Sequence, residues 1–167
     1  YALKTTGSTS GVEFQGHDFS MRGMSSLESA QLSGSAHLLS FSGTDTIPAI
    51  LYLENYYGAD IEKELVGSSI KASEHSIMSA WTNGENRDEL AAYKYLITEV
   101  CPSGFVSLVS DTYDFWAVIG DVLPQLKEDI LSREGRVVIR PDSGDPVLII
   151  CGDPKAQTEL ERKGLIE

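Results

Sequence analysis

Long apolar runs are missing from this sequence. None approaches the roughly 20 residues that a membrane span needs, so membrane insertion as a helix is not expected. Cysteine is scarce. Cys101 and Cys151 stand far apart with no metal-ligand spacing and read as free thiols of a reducing compartment. Positive charge is in short supply: 13 Lys and Arg face 25 Asp and Glu, for a formal net charge of -12. A phosphate backbone selects basic surfaces, so no nucleic-acid partner is expected. A small anionic substrate is still allowed, because a few local arginines can hold a phosphate on an acidic protein. No charged leader precedes a short apolar stretch, so export is not expected and a cytoplasmic protein is. No internal repeat or low-complexity segment stands out.

What remains is ordinary for a globular chain of 167 residues, with 41% apolar and 23% charged residues. That length buries one sizeable core, and a single α/β domain over 1–167 is expected. The start at Tyr1 and the polar finish Lys163-Gly164-Leu165-Ile166-Glu167 read as cuts in a longer protein. Four short apolar runs each end in a polar cluster. Ala36–Phe41 leads to Gly43-Thr44-Asp45-Thr46, and Ser68–Ile70 leads to Ser73-Glu74-His75-Ser76. Phe105–Ser110 leads to Asp111-Thr112-Tyr113-Asp114, and Arg136–Arg140 leads to Pro141-Asp142-Ser143-Gly144.

Helical patterns follow most of these runs. Ile47, Ile50 and Leu51 share one face, as do Phe115, Val118, Ile119 and Val122. Two helical pieces, Ile77–Trp81 and Arg87–Val100, flank the turn-rich Thr82–Asn86. The intervals from Asp45 to His75, His75 to Asp111 and Asp111 to Asp142 each match a strand–helix–strand unit of about 30 residues or more. Sequential units of this kind make an open sheet or a barrel, and in both the polar clusters past the strand ends are where ligands bind.

Several of these residues suit anion and ring recognition. Arg22-Gly23 precedes a helix whose start is marked by Ser25, Ser26 and Glu28. A guanidinium there and free backbone N–H groups can meet one phosphate, although an exposed loop arginine is the plainer reading. From local sequence Asp45 or Thr44 reads first as a helix cap, and as a strand-end carboxylate Asp45 would be an acceptor that favours an amide ligand over the acid. His75 reads as a solvated histidine, a proton carrier or a nucleophile. Arg140 suits an anionic leaving group, and Asp142 suits ribose hydroxyls or a metal-bound water. No stretch carries a dedicated metal motif, so no protein-only metal site is expected.

Taken together, His17-Asp18-Phe19, Arg22-Gly23, Gly43-Thr44-Asp45-Thr46, Ser73-Glu74-His75-Ser76, Val109–Asp114 and Ile139–Gly144 resemble the nicotinamide phosphoribosyltransferases, in order and over nearly the whole chain. Lys71 stands where that family usually has proline. The resemblance implies part of an irregular (β/α) barrel of the type II phosphoribosyltransferase kind. It implies an enzyme that makes nicotinamide mononucleotide and pyrophosphate from nicotinamide and phosphoribosyl pyrophosphate, in NAD biosynthesis, as a homodimer. It also implies roles: Phe19 stacks on the base, Asp45 accepts from the carboxamide with Ser107 near it, and Arg22 and Arg140 face the base and the phosphate side. Asp142 holds the ribose, and Asp111 joins the substrate-binding set. His75, Asp142 and Arg140 form the catalytic set. Magnesium accompanies phosphoribosyl pyrophosphate, and optional ATP acts through phosphorylation of His75. The family's glycine-rich phosphate loop and its partner-subunit aromatic lie outside this stretch, so the piece alone is not expected to turn over.

Three other readings stand beside this one. The first is a nicotinate phosphoribosyltransferase, the second a metal-dependent hydrolase barrel, and the third a fragment that binds ligand without catalysis.

Overall fold

The computed structural model describes residues 1–84 and 86–152, and the chain divides into two compact units, Tyr1–Ser69 and the part from Ile70 onward. The polar finish Lys163–Glu167 read from the sequence lies outside the described residues.

The first unit opens with a short helix, α1 (Ala2–Thr6), and a single 3-10 turn at Val12–Phe14. Strand β1 (His17–Asp18) and a second 3-10 turn, Ser20–Gly23, precede helix α2 (Leu27–Leu38). Ser26 caps α2 by accepting from the Ser29 backbone N–H at 3.1 Å, which satisfies one of the donors a helix start leaves open. Strand β2 (Gly43–Thr44) pairs in parallel with β1, and helix α3 (Ile47–Tyr57) follows, with Pro48 in its first turn and Gly58 in the left-handed conformation just past its end. Helix α2 packs on α3 through small residues, with Ala30 and Ala49 buried.

One expected strand is absent. Ala36, His37 and Leu38 form the last turn of α2, and the strand begins only at Gly43. The run contains no β-branched residue, and alanine and leucine are strong helix formers. A capped helix already under way extends through it.

The second unit begins at β3 (Lys71–Ala72), followed by helix α4 (His75–Ala80) and a hairpin of β4 (Thr82–Asn83) and β5 (Asn86–Arg87). Helix α5 (Glu89–Tyr95) runs on into one π-helical turn at Leu96–Val100. Strand β6 (Ser103–Val109) leads to α6 (Phe115–Ala117), a π-helical turn at Val118–Val122, α7 (Leu123–Gln125) and α8 (Lys127–Ser132). Strand β7 (Glu134–Arg140) and α9 (Pro146–Cys151) complete the described part. The sheet order is β3-β6-β7, all parallel. Both units are thus α/β with parallel strands, as a strand–helix grammar demands.

The core of this unit gathers Met78, Tyr93, Ile97, Val106, Leu108 and Val118. Tyr93 is its largest fully buried side chain, and its hydroxyl must find partners there. It donates to Ser110 Oγ at 2.7 Å, with Val109 O at 3.2 Å. Burial, with help from nearby Glu89 and Asp111, pushes the phenol up to about 12 against the opposing Ser110 bond. This bond anchors the end of β6 one residue before Asp111. Tyr93→Phe should therefore lower unfolding free energy by about 1–2 kcal/mol, read as a lower urea midpoint with unchanged slope.

Candidate functional site

In the first unit, the parallel pairing of β1 with β2 brings two loops side by side. Asp45 follows β2 directly, and its backbone N–H donates to the Asp18 carbonyl at 2.9 Å. The Asp45 side chain is 40% exposed and is held from two sides. His17 Nε2 lies 3.0 Å from Oδ1, and Ser69 Oγ donates to the same oxygen at 2.6 Å. Phe19, Met21, Arg22 and Asp45 line an open pocket of about 350 Å³. Phe19 stands 44% exposed beside it, an arrangement that suits a planar ring more than a core position. Arg22 sits in the Ser20–Gly23 turn ahead of α2, where the sequence put a possible anion contact.

Asp18, next to His17, is buried. Burial alone would raise its carboxyl. The Ser20 backbone N–H bond, the nearby Ser20 and Thr46 hydroxyls and the charge of His37 together outweigh that. The group sits below the ordinary carboxylate range. The Ser20 N–H to Asp18 Oδ1 bond is 2.8 Å, and it fixes the turn that carries Phe19 and Arg22.

In the second unit, Asp111 is the hub. It follows β6, and its side chain is only 7% exposed. Ser143 Oγ donates to Oδ2 at 2.5 Å and the Asp142 N–H donates to the same oxygen at 3.0 Å. His75 Nε2 approaches Oδ1 at 3.3 Å. Burial pushes the Asp111 carboxyl up, but the Ser143, Asp142 and His75 bonds together hold it below its ordinary value. A carboxylate only accepts, so the Nε2 contact requires a hydrogen on Nε2. Nδ1 is 3.9 Å from Asp142 Oδ2, too far for a hydrogen bond.

Arg140, at the end of β7, pairs with Asp142 Oδ1 at 2.8 Å and reaches the Ser73 carbonyl at 3.3 Å. The loops after β3, β6 and β7 therefore meet through charged groups. An open cleft of about 380 Å³ adjoins them, with Asp111, Tyr113, Trp116 and Ser143 in its walls. Ser107 lies further back, buried on β6, its backbone paired to Ala72 and its carbonyl accepting from Ser73. Among the described residues, no three His, Cys, Asp or Glu side chains are grouped to hold a metal ion. No described helix is long and apolar enough to cross a membrane.

The structure thus gathers Phe19, Arg22 and Asp45 in the first unit. It gathers His75, Asp111, Arg140 and Asp142 in the second. Two partners of Asp45 escaped the sequence reading. His17 stands two residues before Phe19, the spacing that puts strand neighbours on one side, and their rings lie 4.5 Å apart. Ser69 carried no such signal, because a serine inside a short run such as Ser68–Ile70 is common.

Comparison with known proteins adds a family. The profile described as the nicotinate phosphoribosyltransferase (NAPRTase) family matches residues 14–158. The chain is 50% identical, over its whole length, to a nicotinamide phosphoribosyltransferase of Acinetobacter baylyi, and covers 33% of that protein. It is 44% identical over 90% of its length to one of Mycoplasma pneumoniae, covering 30% of it. It is 43% identical over 83% of its length to one of Xanthomonas campestris, covering 29%. The chain spans about a third of the length of the curated relatives it matches.

The lowered carboxyls of Asp18 and Asp111 have a consequence in acid. A group whose folded value lies below its unfolded one stabilises the fold above the unfolded value of 3.8, and that stability is lost as pH falls below it. The urea midpoint should fall as pH drops from about 5 to about 3. Asp111→Asn should be less stable than wild type at neutral pH and should lose less on acidification.

Proposed function

The chain belongs to the nicotinate phosphoribosyltransferase family, and from that premise we propose that it is the base-recognition and ribose-side part of a nicotinamide phosphoribosyltransferase. The intact enzyme would join nicotinamide to phosphoribosyl pyrophosphate, releasing pyrophosphate and nicotinamide mononucleotide for NAD synthesis. The observation that carries the choice of base is Asp45, a carboxylate on the wall of a pocket beside an exposed aromatic ring. A carboxamide can donate to that acceptor. A carboxylate in the same place would meet like charge, a repulsion that solvent in the open pocket reduces without removing.

Phe19 would stack on the pyridine ring and Arg22 would face the base and the anionic side. In the second unit, Asp142 would hold ribose hydroxyls and Arg140, paired with it at 2.8 Å, would steady the departing pyrophosphate. Asp111 and Ser107 belong to the same substrate-binding reading. As the C1–O bond to pyrophosphate breaks, positive charge develops on the sugar. Its capture by the pyridine nitrogen then needs alignment and charge stabilisation rather than a protein nucleophile at carbon.

Magnesium, which this reaction class uses with phosphoribosyl pyrophosphate, would neutralise the leaving group. Both Asp111 oxygens are engaged, so half-exposed Asp142 is the carboxylate that suits an ion carried in by the substrate. His75 is the proposed site of phosphorylation by ATP. Its Nε2 contact with Asp111 supports Nδ1 as the attacking nitrogen. The bond from Nδ1 to the γ-phosphorus forms as the bond to ADP breaks, and the phosphoryl group later passes to water. The barrel of the type II phosphoribosyltransferases, a homodimeric assembly and a cytoplasmic location belong to the same proposal.

Two outcomes test it with the full-length protein. Asp45→Ser should cut the preference for nicotinamide over nicotinate, as a kcat/KM ratio, by roughly ten- to a hundredfold. His75→Ala should abolish ATP hydrolysis coupled to turnover while leaving ATP-independent product formation detectable by chromatography. A protein that turns over neither base contradicts the proposal.

A further inference from the structure

We infer that His17 is a specificity-determining positioning residue: its imidazole orients Asp45 and, through its own charge, sets how strongly the pocket prefers a neutral carboxamide to a carboxylate. The inference rests on the base-recognition role proposed for Asp45.

The geometry is that of a built contact. His17 Nε2 and Ser69 Oγ both engage Asp45 Oδ1, at 3.0 and 2.6 Å. Two donors on one oxygen fix the plane of the carboxylate, and Oδ2 is the acceptor these two contacts leave to other donors. The His17 ring also lies 4.5 Å from the Phe19 ring, centroid to centroid. One imidazole therefore touches both groups assigned to the base, the acceptor and the stacking ring. Its seat depends on a glycine. A Cβ at Gly43 would fall 2.7 Å from His17 Nδ1 and 2.9 Å from the Gly16 carbonyl oxygen, so any other residue there must move the ring.

The charge argument follows from the contact. Imidazole is the side chain that ordinarily changes charge between about pH 5 and 8. A neutral ring donates one hydrogen bond and leaves the Asp45 charge in place to repel a carboxylate ligand. A cationic ring offsets much of that charge, and the repulsion weakens. The other charged groups facing this corner come from three places. Arg22 lines the pocket from the turn before α2 and stays cationic throughout. Asp18 continues β1 and is held below the ordinary carboxylate range, burial being opposed by the surroundings of Ser20, whose N–H donates to it. His37 comes from α2, and its Nε2 is 2.9 Å from the Gly43 carbonyl, so its contact is with backbone and not with Asp45. His17 is the imidazole that touches the discriminating carboxylate.

The test uses the full-length protein with phosphoribosyl pyrophosphate and magnesium, measuring kcat/KM for nicotinamide and for nicotinate. From about pH 8 to about pH 6 the wild-type ratio of amide to acid should fall on the order of tenfold. His17→Gln keeps an N–H donor but takes no charge, and should give a flat ratio. Gly43→Ala removes no titratable group yet displaces the ring. It should also flatten the profile, with a lower ratio at the alkaline end, and it serves as the second variant should His17→Gln fold poorly. His37→Gln should keep the wild-type slope. A wild-type ratio that does not change with pH, or a slope that survives in His17→Gln, overturns the inference while leaving the amide preference standing. Failure of the wild type to use either base removes the base-recognition reading itself, and this inference with it.

Discussion

A carboxylate withdrawn from water, as Asp111 is, keeps its charge only where donors replace the solvent, and the more exposed Asp45 is likewise held by donors from segments far apart in the sequence. Asp111 takes its hydrogen bonds from the loop after β7 and meets His75 at the start of α4. Asp45 takes a contact from β1 and another from Ser69, 24 residues downstream. Each carboxylate ties loops together that the chain alone would leave independent. The parallel ladders set the spacing, and these bonds set the orientation of the side chains that project from them. Strand ends in such folds are where backbone pairing stops and polar groups gather, so the fold and the site share the same residues.

The proposed reaction has its barrier in positioning: a ring, a sugar and a polyphosphate would have to be aligned while charge builds on the sugar carbon, with no reactive side chain needed at that carbon. Each unit contributes acceptors held in place rather than mobile nucleophiles. Asp45 with its two donors is a fixed acceptor, and Arg140 with Asp142 is a fixed ion pair. His75 stands apart from the others as a nucleophile by type, with one nitrogen engaged by Asp111.

Much of this was legible in the sequence. The runs at Phe105–Ser110 and Arg136–Arg140 became β6 and β7 within two residues at each end, because β-branched residues cluster there and glycines mark their starts. The helix after Arg22 began where Ser26 capped it. The apolar stretch Ala36–Phe41 misled, since an apolar run without β-branching does not distinguish a helix end from a strand. At the candidate site, residue type and place at or past a strand end marked Asp45, His75, Asp111, Arg140 and Asp142 as candidates, and the family resemblance supplied their roles. The donors that hold them were not readable. Ser69 and Ser143 are ordinary serines, and His17 showed only as a neighbour of Phe19. Which donor meets which oxygen depends on which distant strands and loops become neighbours, and a segment's own pattern does not show that.

The central claim is that Asp45 reads the amide. A crystal structure of the full-length protein with nicotinamide tests it most directly. The account predicts the ring against Phe19 and the carboxamide nitrogen within about 2.7–3.2 Å of an Asp45 oxygen, with His17 and Ser69 still on Oδ1. Nicotinamide bound with its amide turned away from Asp45, or bound in a pocket that Phe19 and Asp45 do not line, would contradict it.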